Sequence, residues 1–250
     1  MKARISHGDI RRGGRVALHA AELELPAHAN VGIIGINGAG KSTLMQGLTG
    51  GLRPRAGRIR ISWDSAADGT VFPKPMHRPD PDRMAYSPQQ PSFPEWLPVE
   101  QASALYGLGL DALARSFDGL LLGELRGLRA GALSIGQRQA LSVAISLALE
   151  LPLTLLDEPF AALDFLRRLA LLALLRARAG RGLTLVSSQN GADLVETCSW
   201  MVVLREGRYV FSGPRDDLAG HTADPAVALH SFESNVMSLL APTANGQRSA

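Results

Sequence analysis

Three short stretches carry residue types that could do chemistry. The first is GINGAGKS, Gly35 to Ser42, which has the spacing G-x-x-x-x-G-K-[ST]. Glycines let a backbone wrap closely enough for its N–H groups to point inward at phosphate oxygens. Gly35, Asn37, Gly38, Ala39 and Gly40 form such a loop, Thr43 follows it, and the next helix adds its positive N-terminal end. In this pattern Lys41 reaches the β- and γ-phosphates and the Ser42 hydroxyl holds Mg²⁺. The second stretch, LTLLDE, ends a buried run in Asp157 and Glu158. A carboxylate at that place can bind Mg²⁺ through water, and the next can act as general base on an attacking water. The third, LTLVSSQN, ends another apolar run at Gln189. A glutamine amide donates and accepts hydrogen bonds but does not titrate.

These groups need a scaffold that brings three strand ends together. NVGIIG (30–35), LPLTLLDEP and LTLVS read as strands buried on both faces, because their apolar runs are continuous. Residues 15–25 alternate as an edge strand, and GRIRIS, WMVVL and YVFSG add further strands. Helical patterns follow the glycine loop, run through LSIGQRQALSVAISLALE, and run through FLRRLALLALLRARAG to Gly180. Residues 64–98 are rich in Pro, Asp and Ser and are expected to be mostly loop; residues 99–130 suggest short helices. From about Gly220 the tail is weakly patterned. Strands alternating with helices predict an α/β fold with a mainly parallel sheet, whose ligands sit at the carboxyl ends of the strands.

The totals exclude several classes. The chain has 250 residues, a net charge of +3 and 46% hydrophobic residues, so it can bury a core and is not of disordered composition. Its arginines are scattered, which argues against a nucleic-acid partner. The single cysteine, Cys198, allows no intrachain disulfide and reads as core. The charged N-terminus has no apolar stretch behind it and is not a secretion signal. The longest apolar run, 140–156, is interrupted by Glu150 and Pro152, so a membrane crossing would fall to another chain.

In motif order the sequence resembles the ATP-binding cassette family over roughly residues 2–215. GINGAGKST looks like the Walker A loop, YSPQQ the segment of the lid glutamine, LSIGQRQ the ABC signature, LLDEP Walker B, AALD the D-loop, and LREGRYVFSGP the strand turn that closes the core. The resemblance implies one P-loop ATPase domain over 1–220. It would carry an N-terminal antiparallel β subdomain, a small helical insert at about 90–140 and a short tail over 221–250. It also implies that Gln89 joins Ser42 and Asp157 as a Mg²⁺ and water ligand, and that Glu158 is the catalytic base. Ser134, Gly136 and Gln137 would act in trans, the helix start at Ser134 docking on the γ-phosphate held by a second subunit, with Asp164 in the D-loop. Partners would be ATP, a second cassette as homodimer or heterodimer, and an integral membrane permease. The protein would be cytoplasmic and peripheral at the inner membrane face. Phe93 and Trp96 would either pack locally or dock the permease.

The sequence departs from the family pattern in four places. Gln189 stands where the family has a switch histidine, which can titrate near neutral pH; either turnover is reduced or Gln189 substitutes adequately. Ile135 replaces the first signature glycine, and a β-branched residue is poorer where backbone approaches phosphate. No N-terminal aromatic offers itself to adenine, Arg12 or His7 falling nearest the place. The insert is compact, which on analogy leans toward export. Two further readings stay open: a soluble ABC ATPase without a transporter, and a nucleotide-sensing module with little turnover.

Overall fold

The computed structural model describes residues 2–54, 59–63 and 82–241. A six-stranded sheet runs through the molecule in the order Arg208–Pro214, Trp200–Arg205, Ala29–Ile34, Leu183–Ser188, Leu153–Asp157, Met84–Ser87. Only the first pair is antiparallel. Every residue of Ala29–Ile34, Leu153–Asp157 and Leu183–Ser188 is buried, as continuous apolar runs require when both faces are covered.

A three-stranded antiparallel sheet places Lys2–His7 between Ala21–Pro26 and Arg60–Trp63. Lys2–His7 alternates, with Ala3, Ile5 and His7 inward. This sheet and helix Lys41–Leu48 share one core with Val31, Ile33, Leu155 and Leu185 of the central sheet. A second core collects Ile34, Leu156 and Val186 with helices Ile135–Ala148, Phe165–Arg178 and Gly191–Thr197 and with the helical insert. The insert holds two short helices, Val99–Ala104 and Leu110–Ser116, and three single 3₁₀ turns between Asp118 and Ala132.

Three expectations need correction. The stretch expected as one edge strand over 15–25 is two strands, Arg15–Leu18 and Ala21–Pro26. Between them the His19 N–H turns to Gly207 and the Ala20 N–H to Asp9. Within the expected loop over 64–98, residues 64–81 lie outside the described ones, but Met84–Ser87 is the edge strand of the central sheet. Its four residues are held by pairing with Leu153–Leu156, a long-range contact that outweighs the local Pro and Ser signals. The tail from Gly220 is more than a weak cap. Asp224 caps helix Pro225–Leu240, with proline in its first turn. Phe232 of that helix is fully buried in the second core.

Among the described residues no helix is long and apolar enough to cross a membrane.

Candidate active site

The parallel register decides where the chemistry falls. Ile34 pairs with Ser188, Asp157 with Ser187, and Ser87 with Leu156. The four strands therefore end together, and the chain leaves their carboxyl ends as the glycine loop, Glu158, Gln189 and Gln89. The loop after Ile34 is bound closely to its surroundings. A Cβ on Gly35 would lie 2.4 Å from the Leu204 carbonyl oxygen, and Gly40 has φ +112, with a would-be Cβ 2.8 Å from the Ala17 carbonyl. Side chains at these two positions would push the loop off the sheet.

Lys41 opens the helix Lys41–Leu48 and is buried. Its Nζ donates to the Gly35 carbonyl at 2.7 Å and lies 3.6 Å from Glu158 Oε1. Two buried opposite charges require each other, since either one alone would carry an unmatched desolvation penalty. Asp157 Oδ1 accepts from Ser187 Oγ at 2.6 Å and from Ser42 Oγ at 3.3 Å. The same Ser187 hydroxyl accepts the Glu158 N–H at 2.9 Å. Ser187 thus links the two carboxylate residues. It was not among the residues singled out by motif; its signal in the sequence is a polar residue ending a buried strand.

Glu158 has φ +50, which is uncommon outside glycine. Strain of this kind persists where surrounding contacts over-determine the backbone; here the Ser187 hydroxyl and the Lys41 ammonium do so. Glu158 Oε2 accepts the Gln189 N–H at 3.3 Å, while the buried Oε1 has no hydrogen-bond donor. Gln189 also borders a groove of about 570 Å³, whose walls include Gly35, Ile36, Asn37 and the helix residues Phe232 and Met237. Gln89 is exposed two residues beyond Met84–Ser87, on the strand beside Asp157.

Ser134, Gly136 and Gln137 form a second group with Asp164. Ser134 caps helix Ile135–Ala148: its hydroxyl accepts the Gln137 N–H at 3.1 Å, and Gln137 Oε1 accepts the Ser134 N–H at 2.9 Å. This reciprocal box fixes the helix start. Ile135 beside it is 69% exposed. Gly136 lies against the Asp164 loop, where a Cβ would sit 2.6 Å from the Ala162 carbonyl. Asp164 caps helix Phe165–Arg178. The Arg167 backbone N–H, and then its guanidinium, hold the Asp164 carboxyl below the usual range.

The structure removes His7 as an adenine platform. His7 is buried and bonded to the Tyr209 hydroxyl at 2.8 Å, whereas Arg12 is exposed at a strand end. Cys198 is buried and its thiol is pushed up to about 12, so it is inert at neutral pH. Phe93 packs partly buried against the second core, while Trp96 is 67% exposed.

The profile of a family described as "ABC transporter" matches residues 18–161. The chain belongs to this family of ABC transporter ATP-binding domains. The ABC domain is 33% identical over 239 residues to an ABC transporter ATP-binding protein of Streptomyces avermitilis, covering 93% of this chain and 40% of that one. It is 31% identical over 222 residues to the hemin import ATP-binding protein HmuV of Pseudomonas aeruginosa, covering 82% and 84%. The lipopolysaccharide export system ATP-binding protein LptB of Acidithiobacillus ferridurans is 29% identical, with 85% and 89% covered. The chain therefore spans about 40% of the length of the Streptomyces relatives and most of the hemin and lipopolysaccharide ones. A solved structure titled as the ATP-binding subunit of an ABC transporter superposes with a TM-score of 0.70 at 28% identity, covering 92% of this chain and all of that one. An ATP-bound bacterial Atm1-family exporter gives 0.71 at 22% identity over 42% of its chain, a likeness of fold.

Proposed function

We propose that this ABC domain binds and hydrolyses ATP and thereby powers a separate membrane permease. The observation that carries the reading is the convergence of Lys41, Ser42, Asp157 and Glu158 at one end of the sheet. Lys41 exchanges the Gly35 carbonyl for the β- and γ-phosphates. The loop N–H groups and the helix N-terminus take the remaining phosphate charge. The Ser42 hydroxyl and the Asp157 carboxylate are hard oxygen donors suited to Mg²⁺, with Gln89 as a further ligand. Two or three protein oxygens fit an ion that keeps waters and phosphate oxygens as its other ligands. Mg²⁺ bound there would neutralise charge on the transferring phosphoryl group.

Glu158 Oε1, which lacks a hydrogen-bond donor, can accept a proton from the attacking water, while the Gln189 N–H steadies the other carboxylate oxygen. The Gln189 side chain contacts the γ-phosphate or its water without titrating, so turnover is slower than with histidine there. Ser134, Gly136 and Gln137 of a second cassette close over the nucleotide, and Asp164 supports that closure. The second cassette is a copy of this chain or a different one. The assembly sits at the cytoplasmic membrane face through the permease, with Trp96 among the contacts.

The test is size measurement of Glu158→Gln with and without Mg-ATP, alone and with the permease co-expressed. ATP-dependent dimers or an ATP-responsive complex support the reading. Tight ATP binding that changes neither overturns the coupling to transport. The exposed Ile135 and the amide at Gln189 favour a second reading, a nucleotide sensor with little turnover. Gln189→His separates the two: gained turnover supports the transporter ATPase, and continued silence with ATP bound supports the sensor.

A further inference from the structure

Arg167 is the one side chain whose hydrogen bonds join the Asp164 loop directly to the helical insert among those described. Its side chain is 11% exposed. Its backbone N–H donates to Asp164 Oδ1 at 3.0 Å, and its Nη1 donates to Asp164 Oδ2. The other two nitrogens turn to the insert: Nη2 lies 3.1 Å from Glu124 Oε2, and Nε donates to the Leu120 carbonyl at 3.2 Å. The planar guanidinium supplies these directions at once, which a lysine ammonium on a flexible stem would not. Next to it the insert is pressed onto the helix that Asp164 caps, because a Cβ on Gly119 would lie 2.6 Å from Ala170 Cβ. On the far side of the same loop, the Ala162 carbonyl rests on Gly136 of the signature. The Asp164 loop is therefore clamped between the signature helix and the 3₁₀ turns of the insert.

We propose that Arg167 is a positioning residue that transmits displacement between the Asp164 loop and the insert. The inference rests on the nucleotide reading above and adds a residue outside its motifs. When a second cassette and ATP move the Asp164 loop, the guanidinium carries residues 118–125 with it. Movement of the insert by its own partner returns along the same bonds. Glu124 is 58% exposed, so its bond to Arg167 is the part that can be loosened without opening the core.

The experiment is hydrogen exchange on the full chain in a Glu158→Gln background, with and without Mg-ATP, comparing Arg167, Arg167→Gln and Glu124→Gln. Expected is that ATP slows exchange in the Walker A loop in all three. With Arg167 present it changes exchange at both 161–167 and 118–125. In Arg167→Gln the change at 118–125 is lost while that at 161–167 remains, and Glu124→Gln halves it or more. An unchanged insert response in both variants overturns the proposal, as does an insert that ignores ATP in the Arg167 protein while the Walker A loop is protected. No protection of the Walker A loop in any of the three overturns the nucleotide reading itself and removes the inference with it. Glu124→Gln keeps the test decisive if Arg167→Gln folds poorly, since it alters a solvent-exposed carboxylate. A steady-state check uses the same two substitutions with Glu158 intact. Both lower kcat by the same mechanism and leave KM for ATP within about twofold, and the double variant is no slower than Arg167→Gln alone. Additive losses would mean that the two residues act separately.

Discussion

Glu158 and Asp157 are adjacent in the chain yet have different surroundings, and Ser187 makes the difference. Its hydroxyl donates to the Asp157 carboxylate and accepts the Glu158 N–H, so one oxygen orients that carboxylate and holds a left-handed backbone at the next residue. Replacing Ser187 with alanine leaves the buried Glu158 N–H without its partner, which costs about 1–3 kcal/mol, and leaves Asp157 Oδ1 with the Ser42 hydroxyl alone. The Ser187→Ala protein should unfold at lower denaturant and lose turnover more than ATP affinity, measurable by denaturation and by kcat beside KM. Lys41 and Ser42 were legible in the sequence from the spacing of the glycine loop, and Asp157 and Glu158 as two acids ending a buried apolar run. Ser187 was not, since a serine at the end of a buried strand has no motif; only the pairing of Leu183–Ser188 with Leu153–Asp157 brings it to Asp157. Gln189 was legible as the polar residue ending an apolar run, but the contact that the structure adds is made by its backbone N–H, which any residue except proline would supply.

At the scale of elements, helices Lys41–Leu48, Ile135–Ala148 and Phe165–Arg178 followed from helical patterning and the buried strands from continuous apolar runs, and the errors fell where long-range packing overrides local pattern. The break of 15–25 into two strands is one case, Met84–Ser87 another and Pro225–Leu240 the third. That helix fills a gap beside helix Gly191–Thr197, where a Cβ on Gly191 would meet the Phe232 ring at 2.9 Å. Arg205 secures its last turn by donating to the Leu239 and Ala241 carbonyls at 2.9 and 2.8 Å. The Asp224–Pro225 start was visible in the sequence, but the burial of Phe232 depends on a glycine 41 positions earlier in the chain. Phe232→Ala should cost about 3–5 kcal/mol. A chain of this size loses about 2–4 °C of Tm per kcal/mol, so a melting curve shows a drop of roughly 10 °C. A drop within about 2 °C would mean that the helix is an accessory to the core.

At the scale of the whole molecule, His7 makes a polar contact between the three-stranded and the six-stranded sheets. It belongs to the N-terminal sheet, and the Tyr209 hydroxyl it meets belongs to the central one. Burial lowers the His7 pKa below its ordinary 6.5, opposed by the Gly8 carbonyl and by Asp9. The folded state therefore favours neutral imidazole, and the unfolded chain takes up the proton first as pH falls. The stability from this contact is complete above pH 6.5 and is lost as pH falls from 6.5 toward the lower folded-state value. His7→Gln should unfold more easily than wild type at pH 8, and the gap should narrow on acidification, as seen by denaturation at each pH. A gap that widens would reverse the assigned sign. The fold class was legible at this scale because buried strands alternate with amphipathic helices, whereas the role of His7 was not: its approach to Tyr209 spans 202 positions of sequence.

The most direct measurement for the account as a whole is steady-state Mg-ATP hydrolysis by the purified wild type and Glu158→Gln, with ATP binding measured on both. The account predicts turnover by the wild type, a fall of about 10²–10⁴-fold in kcat on losing the carboxylate, and retained ATP binding. Equal turnover by the two proteins would contradict it, because the residue beside Lys41 would then have no part in the chemistry.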